Sequence, residues 1–249
     1  NIVIRTIIKK DNKAYFGVGG GITYDSIEED EYNETLDLLK EIGFDGNKIV
    51  KKYNFVPDAQ ANLKPIQLDD ISERYVVFYG RIGEEKGIRI LMRIWDEIKD
   101  IPLVVMGTGP LEDEFKEWAK NKENVYFLGY TQHEKCLSIV KGSEFVVFPS
   151  IWYEGCSMVE IETESLGRGL VATDLGFSVE AIENGVNGFK IRLGDVQGFK
   201  NQIESLWNDP ELCKSIGANA RIDYDQKYVP EMNYEELNSI YKDVLGGSL

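Results

Sequence analysis

From residue 75 to about residue 192 the chain alternates short, unbroken apolar runs with longer stretches in which apolar residues recur every third or fourth position. The runs fall at 75–79, 103–106, 125–128, 145–148 and 170–173. Each is four or five residues long and rich in Val, Phe and Tyr, which predicts buried strands rather than helices. Between them, Ile88, Leu91 and Trp95 mark one helical face, with Ile90, Ile94 and Ile98 beside it. Leu111, Phe115, Trp118 and Ala119 mark a second helix, and residues 136–140 lie in a third. Fully apolar strands alternating with amphipathic helices predict an α/β fold: a Rossmann-like parallel sheet with helices on both faces. Ligands of such sheets bind at the carboxyl ends of the strands. The turns at Gly80, Gly107, Gly129 and Pro149 all fall there.

The pattern differs at both ends. Residues 2–8 and 14–18 read as two strands joined at Asp11-Asn12-Lys13, a β-hairpin, and Gly19-Gly20-Gly21 breaks the run. An acidic stretch at 25–30 opens a helix carried by Tyr32, Leu36, Leu39 and Ile42, with Gly43 as its stop. Residues 1–43 therefore form an amino-terminal hairpin-plus-helix appendage, and residues 44–249 the main domain. Residues 48–53 read as a short strand, followed by a polar connector bounded by prolines. Residues 196–245 are helical, with Phe199, Ile203 and Leu206 on one stripe and Leu237, Ile240, Tyr241 and Leu245 on another.

Composition narrows the partners. The formal charge of −15 argues against nucleic acid and against adhesion to an anionic membrane surface. No apolar run approaches the roughly 20 residues that span a bilayer, and no signal peptide is evident. Cys136, Cys156 and Cys213 lack C-x-x-C spacing, so neither a disulfide framework nor a zinc site is supported, and a reducing, cytoplasmic setting fits. The first residue is Asn1 rather than Met, which reads as a fragment or a processed product.

The candidate chemistry is concentrated in two loops. Residues 148–162 run from a strand end through Pro149 into a helix near Ser157, with Glu154 eight positions before Glu162. Free amides at a helix start suit a phosphate, and two flanking carboxylates suit hydroxyls at either end of the ligand, as in a nucleotide-sugar. In residues 80–87 the glycines, beginning with Gly80, permit close approach, while Arg81 and Lys86 suit a diphosphate. Gly109 lies in a third strand-end turn, which lacks the dinucleotide G-x-G-x-x-G spacing. Leu128 and Gly129 end the strand at 125–128, where backbone could read a flat base. Asp223-Tyr224-Asp225 spells D-x-D but sits in a helical region and reads as a solvated face, and His133 reads as a surface residue without a role.

Together GRIGEEKG, VVMGTGP, VYFLGY and EGCSMVEIE resemble the donor-binding, carboxy-terminal lobe of the retaining two-lobe (GT-B, family 4-like) glycosyltransferases, over about residues 48–245. The resemblance implies transfer of a sugar from a UDP- or GDP-sugar, with no metal or other cofactor required. It implies that Arg81 and Lys86 hold the donor diphosphate, Glu154 the transferred sugar and Glu162 the ribose hydroxyls. Backbone amides of Ser157, Met158 and Val159 would complete the phosphate cradle. Gly155 and Cys156 would lie beside it, Cys156-Ser157 standing where the family often has proline or glycine. The acceptor lobe of that family would have to come from elsewhere, whether a missing segment or a swapped chain.

Residues 1–43 resemble the carboxy-terminal end of the chorismate-utilising enzymes, the synthase subunits for anthranilate and aminodeoxychorismate. There, positions matching Arg5 and Gly21 contact substrate carboxylates and the one matching Glu34 is a magnesium ligand. The other magnesium glutamate and the acid/base residues are absent, so identity is implied without activity. Two alternatives to the donor domain stand beside it: a magnesium-dependent fragment of a chorismate-binding synthase, and a non-catalytic interaction module.

Overall fold

The computed structural model describes residues 7–10, 13–16, 52–58, 63–66, 68, 71 and 73–245. The chain divides into two compact units, Asn1–Lys51 and Lys52–Leu249. In the first, β1 (Ile7–Lys10) and β2 (Lys13–Phe16) pair antiparallel with Ile7 opposite Phe16, the hairpin expected from the Asp11-Asn12-Lys13 turn. The helix expected after Gly21, and Arg5, Gly21 and Glu34 themselves, lie outside the described residues.

The second unit runs β3 (Val76–Tyr79), α1 (Ile88–Glu97), β4 (Leu103–Met106), α2 (Glu112–Ala119), β5 (Val125–Gly129), α3 (His133–Gly142) and β6 (Phe145–Phe148). It continues with α4 (Met158–Ser165), β7 (Gly169–Thr173), α5 (Phe177–Ala181), β8 (Gly188–Ile191), α6 (Val196–Trp207), α7 (Pro210–Lys227) and α8 (Pro230–Leu245). The strands form one parallel sheet in the order β5-β4-β3-β6-β7-β8. The chain thus starts in the middle, builds outward to β5, then returns to lay β6, β7 and β8 on the other side of β3. The carboxyl ends of β3 and β6 flank the point where the direction of winding reverses, the place where such sheets leave a crevice for a ligand.

Strand alternation divides the core into two layers. Val76 and Phe78 pack with Leu91, Ile94 and Trp95 of α1 and with Phe199 and Ile203 of α6. Val77 and Tyr79 face the other way, onto Leu137, Ile139 and Val140 of α3. The four inner strands are wholly buried, while the edge strands β5 and β8 are half-exposed. That is why β8, with Lys190 inside it, is not separable in the sequence pattern; the five-residue α5 is too short to show a helical period. The carboxy-terminal helical region is three helices. Asp195 and Asp209 cap the first two, accepting from Gly198 N at 2.8 Å and Leu212 N at 3.0 Å, and Pro210 occupies the first turn of α7. Residues 52–58 are coil, so the strand expected at 48–53 does not include Lys52 and Tyr53.

Candidate functional site

The loop after β3 is held on both flanks by backbone bonds. Gly80 N donates to Met106 O at 3.0 Å, Ile82 N to Thr108 O at 2.9 Å, and Leu111 N to Ile82 O at 2.9 Å, tying it to the loop after β4. On the other side Ile151 N donates to Glu85 O at 3.1 Å, and Ser150 Oγ to the same carbonyl at 3.0 Å. Gly87 closes the loop in the left-handed region, with φ 71°, and a Cβ there would lie 1.7 Å from Pro149 O. Only glycine lets the two loops approach this closely.

The loop after β6 carries Glu154. Phe177 N donates to Glu154 O at 2.7 Å, which anchors the loop to α5. Lys86 Nζ forms an ion pair with Glu154 Oε1, and Ser150 Oγ lies 3.4 Å from the same oxygen. Ser157 then caps α4, its Oγ accepting from Glu160 N at 3.4 Å. The first-turn amides of Met158 and Val159 have no partner within the helix and remain directed out of its start.

Tyr79, at the end of β3, fixes the register of α4: its hydroxyl donates to Val159 O at 2.8 Å and lies 3.1 Å from Thr163 Oγ1. Burial, with the Glu162 charge adding to it, holds the Tyr79 pKa well above its ordinary value, so the hydroxyl remains a donor. One position before Thr163, Glu162 is largely enclosed and its Oε1 lies 3.4 Å from His133 Nε2, at the first residue of α3. Burial raises the Glu162 pKa, opposed by His133 and the Tyr79 hydroxyl. The Cys136 thiol is pushed up to about 12 by burial and then by Glu162. It is an inert packed thiol, not a nucleophile.

The sequence-predicted residues thus divide. Lys86 and Glu154 meet directly, and Glu162 stands on the helix that follows Glu154's loop. Arg81 is 63% exposed, and its Nε lies 3.3 Å from Glu85 Oε1; it contacts neither acid in this arrangement. Gly80 and Gly109 lie where β3 and β4 end, a Cβ on Gly109 falling 2.4 Å from Ile82 O. Leu128 is exposed at the end of β5, with Gly129 completing that strand. Gly155 is open, Ser157 buried, and Met158 exposed. Cys156 accepts from Asn54 N at 3.2 Å. Asp225 is exposed and paired with Arg221, as the solvated-face reading of D-x-D expects, whereas Asp223, paired with Lys227, also accepts from the buried Asn187 Nδ2 at 2.6 Å. Among the described residues, no group of three or more His, Cys, Asp or Glu is placed to hold a metal ion.

Two features escaped the sequence. His133 touches Glu162 although 29 positions separate them in the chain, a contact that only the sheet order creates. Glu160 and Glu164 are wholly enclosed on the opposite side of α4 from Glu162. Residues two apart on a helix point about 200° apart, so glutamates at 160, 162 and 164 cannot share one exposed face. That spacing was the available signal.

A six-stranded parallel sheet with helices on both faces is a Rossmann-like α/β architecture shared with GT-B glycosyltransferase structures. A glycosyltransferase from Rickettsia africae ESF-5 superposes with a TM-score of 0.74 at 21% identity, over 87% of this chain and 62% of that one. Anabaena Alr3699/HepE in complex with UDP superposes with a TM-score of 0.72 at 20% identity, over 85% and 62%. Residues 60–223 match the family described as glycosyl transferases group 1, and the chain belongs to it. Residues 1–42 match the chorismate binding enzyme family. Among curated relatives, the capsular polysaccharide biosynthesis glycosyltransferase CapM of Staphylococcus aureus is 25% identical over 98% of this chain and 59% of its own length. The alpha-D-kanosaminyltransferase of Streptomyces kanamyceticus is 28% identical over 70% of this chain and 49% of its own. The chain spans about half the length of the curated relatives it matches. No described helix is long and apolar enough to cross a membrane.

Proposed function

We propose that residues 52–249 bind a nucleotide-diphospho-sugar as the donor half of a retaining sugar transferase. The observation that carries this reading is the Lys86–Glu154 pair at the switch point, directly before the start of α4. A diphosphate arriving at the α4 amides takes Lys86 as counter-ion, freeing Glu154 to accept hydroxyls of the transferred sugar. Arg81, on the exposed loop, swings from Glu85 to the same phosphates. Glu162 accepts the ribose hydroxyls, and backbone at Leu128 and Gly129 borders the base. The bond from the anomeric carbon to the diphosphate oxygen breaks, and the acceptor oxygen forms the new bond on the same face. The two cations stabilise charge developing on the leaving group, an electrostatic role that needs no metal or other cofactor. The acceptor lobe is supplied by sequence outside this chain or by another chain, so the chain alone transfers poorly. The lack of C-x-x-C spacing among Cys136, Cys156 and Cys213 supports a cytoplasmic setting.

Calorimetric titration with UDP- and GDP-sugars tests the reading. At least one donor binds the wild type, and Lys86→Ala and Glu162→Ala abolish that binding. A folded sample that binds no donor removes it.

The match at residues 1–42 favours a second, separate reading for the first unit: a chorismate-enzyme segment whose Arg5 and Gly21 face substrate carboxylates and whose Glu34 serves magnesium. One carboxylate binds magnesium weakly, so a partner chain must complete that site. Magnesium-dependent chorismate binding, lost in Arg5→Ala or Glu34→Ala, is its test.

A further inference from the structure

Glu160 stands in the first turn of α4, three positions after the capping Ser157, and is fully buried. Neither of its carboxyl oxygens has a hydrogen-bond partner among the described residues. The Ser157 and Ser178 hydroxyls lie close enough to influence it, yet neither reaches hydrogen-bonding geometry with it. A carboxylate enclosed in this way, without a donor, is strongly disfavoured, whereas a neutral carboxyl is tolerated. The charged groups facing it come from three sides. Glu154 and Lys86 belong to the two loops, and Glu164 lies one turn further along α4. Asp223 and Lys227 of α7 act on Glu164. Burial raises the Glu160 pKa to about 8; the nearby Ser178 hydroxyl opposes the rise most, Glu154 adds to it, and Ser157 and Lys86 oppose it.

We propose that Glu160 is a proton-holding positioning residue of the donor cradle: uncharged, it leaves the start of α4 and Lys86 free for a diphosphate, and ionised, it closes that cradle. The inference rests on the donor-binding reading and adds its regulation. A negative charge in the first turn occupies the positive end of the helix and attracts Lys86, the two features that a diphosphate requires. The coupling is reciprocal, because a bound diphosphate strengthens proton binding at Glu160 by the same factor. Donor binding near pH 8 therefore takes up a proton.

The probe is UDP, titrated by calorimetry into wild type and Glu160→Gln at pH 7, 8 and 9, where its phosphates stay ionised, in two buffers of different ionisation enthalpy. Wild-type affinity falls about tenfold from pH 7 to pH 9 and binding at pH 8 consumes protons, a coupling of ordinary size between two charged sites. Glu160→Gln holds one affinity from pH 7 to pH 9 and consumes none. Wild-type binding that is flat with pH and proton-neutral overturns this inference alone, and needs no variant to show it. An identical pH slope in Glu160→Gln also overturns it. A folded wild type that binds neither UDP nor GDP at pH 7 overturns the donor reading, and this one with it.

Discussion

Lys86 and Glu154 form an ion pair between the two loops that meet where the sheet reverses, although 68 positions separate them in the chain. Their side chains are 22% and 18% exposed, so the pair is enclosed enough to matter and open enough for a ligand to compete. Ala at either position leaves the other charge without its partner. Each single substitution is expected to cost about 1–2 kcal/mol in urea unfolding, and a double-mutant cycle to show that the two effects do not add. The binding effects diverge. Lys86→Ala lowers UDP affinity at least about tenfold, whereas Glu154→Gln leaves UDP affinity nearly unchanged and weakens only the sugar-bearing donor. Equal losses for UDP and UDP-sugar in Glu154→Gln would contradict its assignment to the sugar.

Tyr79 links the end of β3 to the register of α4 through the Val159 carbonyl at 2.8 Å. Tyr79→Phe keeps the ring in its core layer and removes the one donor. The Val159 carbonyl keeps the Thr163 hydroxyl at 2.7 Å, so the loss of the Tyr79 bond costs about 0.5–1.5 kcal/mol. The helix is then free to shift, and Glu162 moves with it. The expected result is a lower urea midpoint with unchanged slope and a several-fold loss of UDP affinity. Unaltered affinity would show that Glu162 is positioned without Tyr79.

The order of strands and helices was legible because the inner strands are buried on both faces, which leaves them unbroken apolar runs such as the Val76-Val77-Phe78-Tyr79 segment. The loops were legible because glycine and proline mark strand ends, and because Lys86, Glu154 and Glu162 stand at spacings that only a strand–loop–helix unit makes useful. The partners were not legible. Arg81 resembles Lys86 in sequence, but its loop turns it towards Glu85, a choice made by backbone bonds to the loop after β4. His133 reaches Glu162 only because β5 and β6 lie on either side of the β3–β4 pair's winding, and no local pattern encodes that. The burial of Glu160 and Glu164 follows from packing of α4 against α7, where Arg221 donates to Ser165 O at 2.6 Å.

At Gly87 the two site loops approach so closely that a Cβ would lie 1.7 Å from Pro149 O. Alanine there must adopt a left-handed φ of 71° and place its Cβ against the Pro149 backbone. Backbone on both sides cannot yield cheaply. Gly87→Ala is expected to destabilise by about 2 kcal/mol or more and to displace Lys86, its neighbour, from Glu154. Urea unfolding and UDP titration measure the two effects, and a variant indistinguishable from wild type in both would show that the loops are not held in contact at Gly87.

Glu160 and Glu164 set the dependence of stability on pH. Burial raises both pKa values, Glu160 to about 8 and Glu164 well above the ordinary carboxylate range. The folded chain therefore binds more protons than the unfolded chain, whose glutamates titrate near their usual values. Their contribution is fully present below the unfolded pKa and is lost as pH rises through the folded values. In wild type this part of the stability declines from about pH 5 upward. Glutamine at either position carries no charge to be excluded, so Glu160→Gln and Glu164→Gln unfold at nearly the same urea concentration as wild type at pH 5. At pH 8.5 each is more stable than wild type by about 1 kcal/mol or more, an order set by a shift of a pKa unit or greater. Wild-type and variant stabilities that run parallel from pH 5 to pH 8.5 would mean that these acids titrate normally in the folded chain.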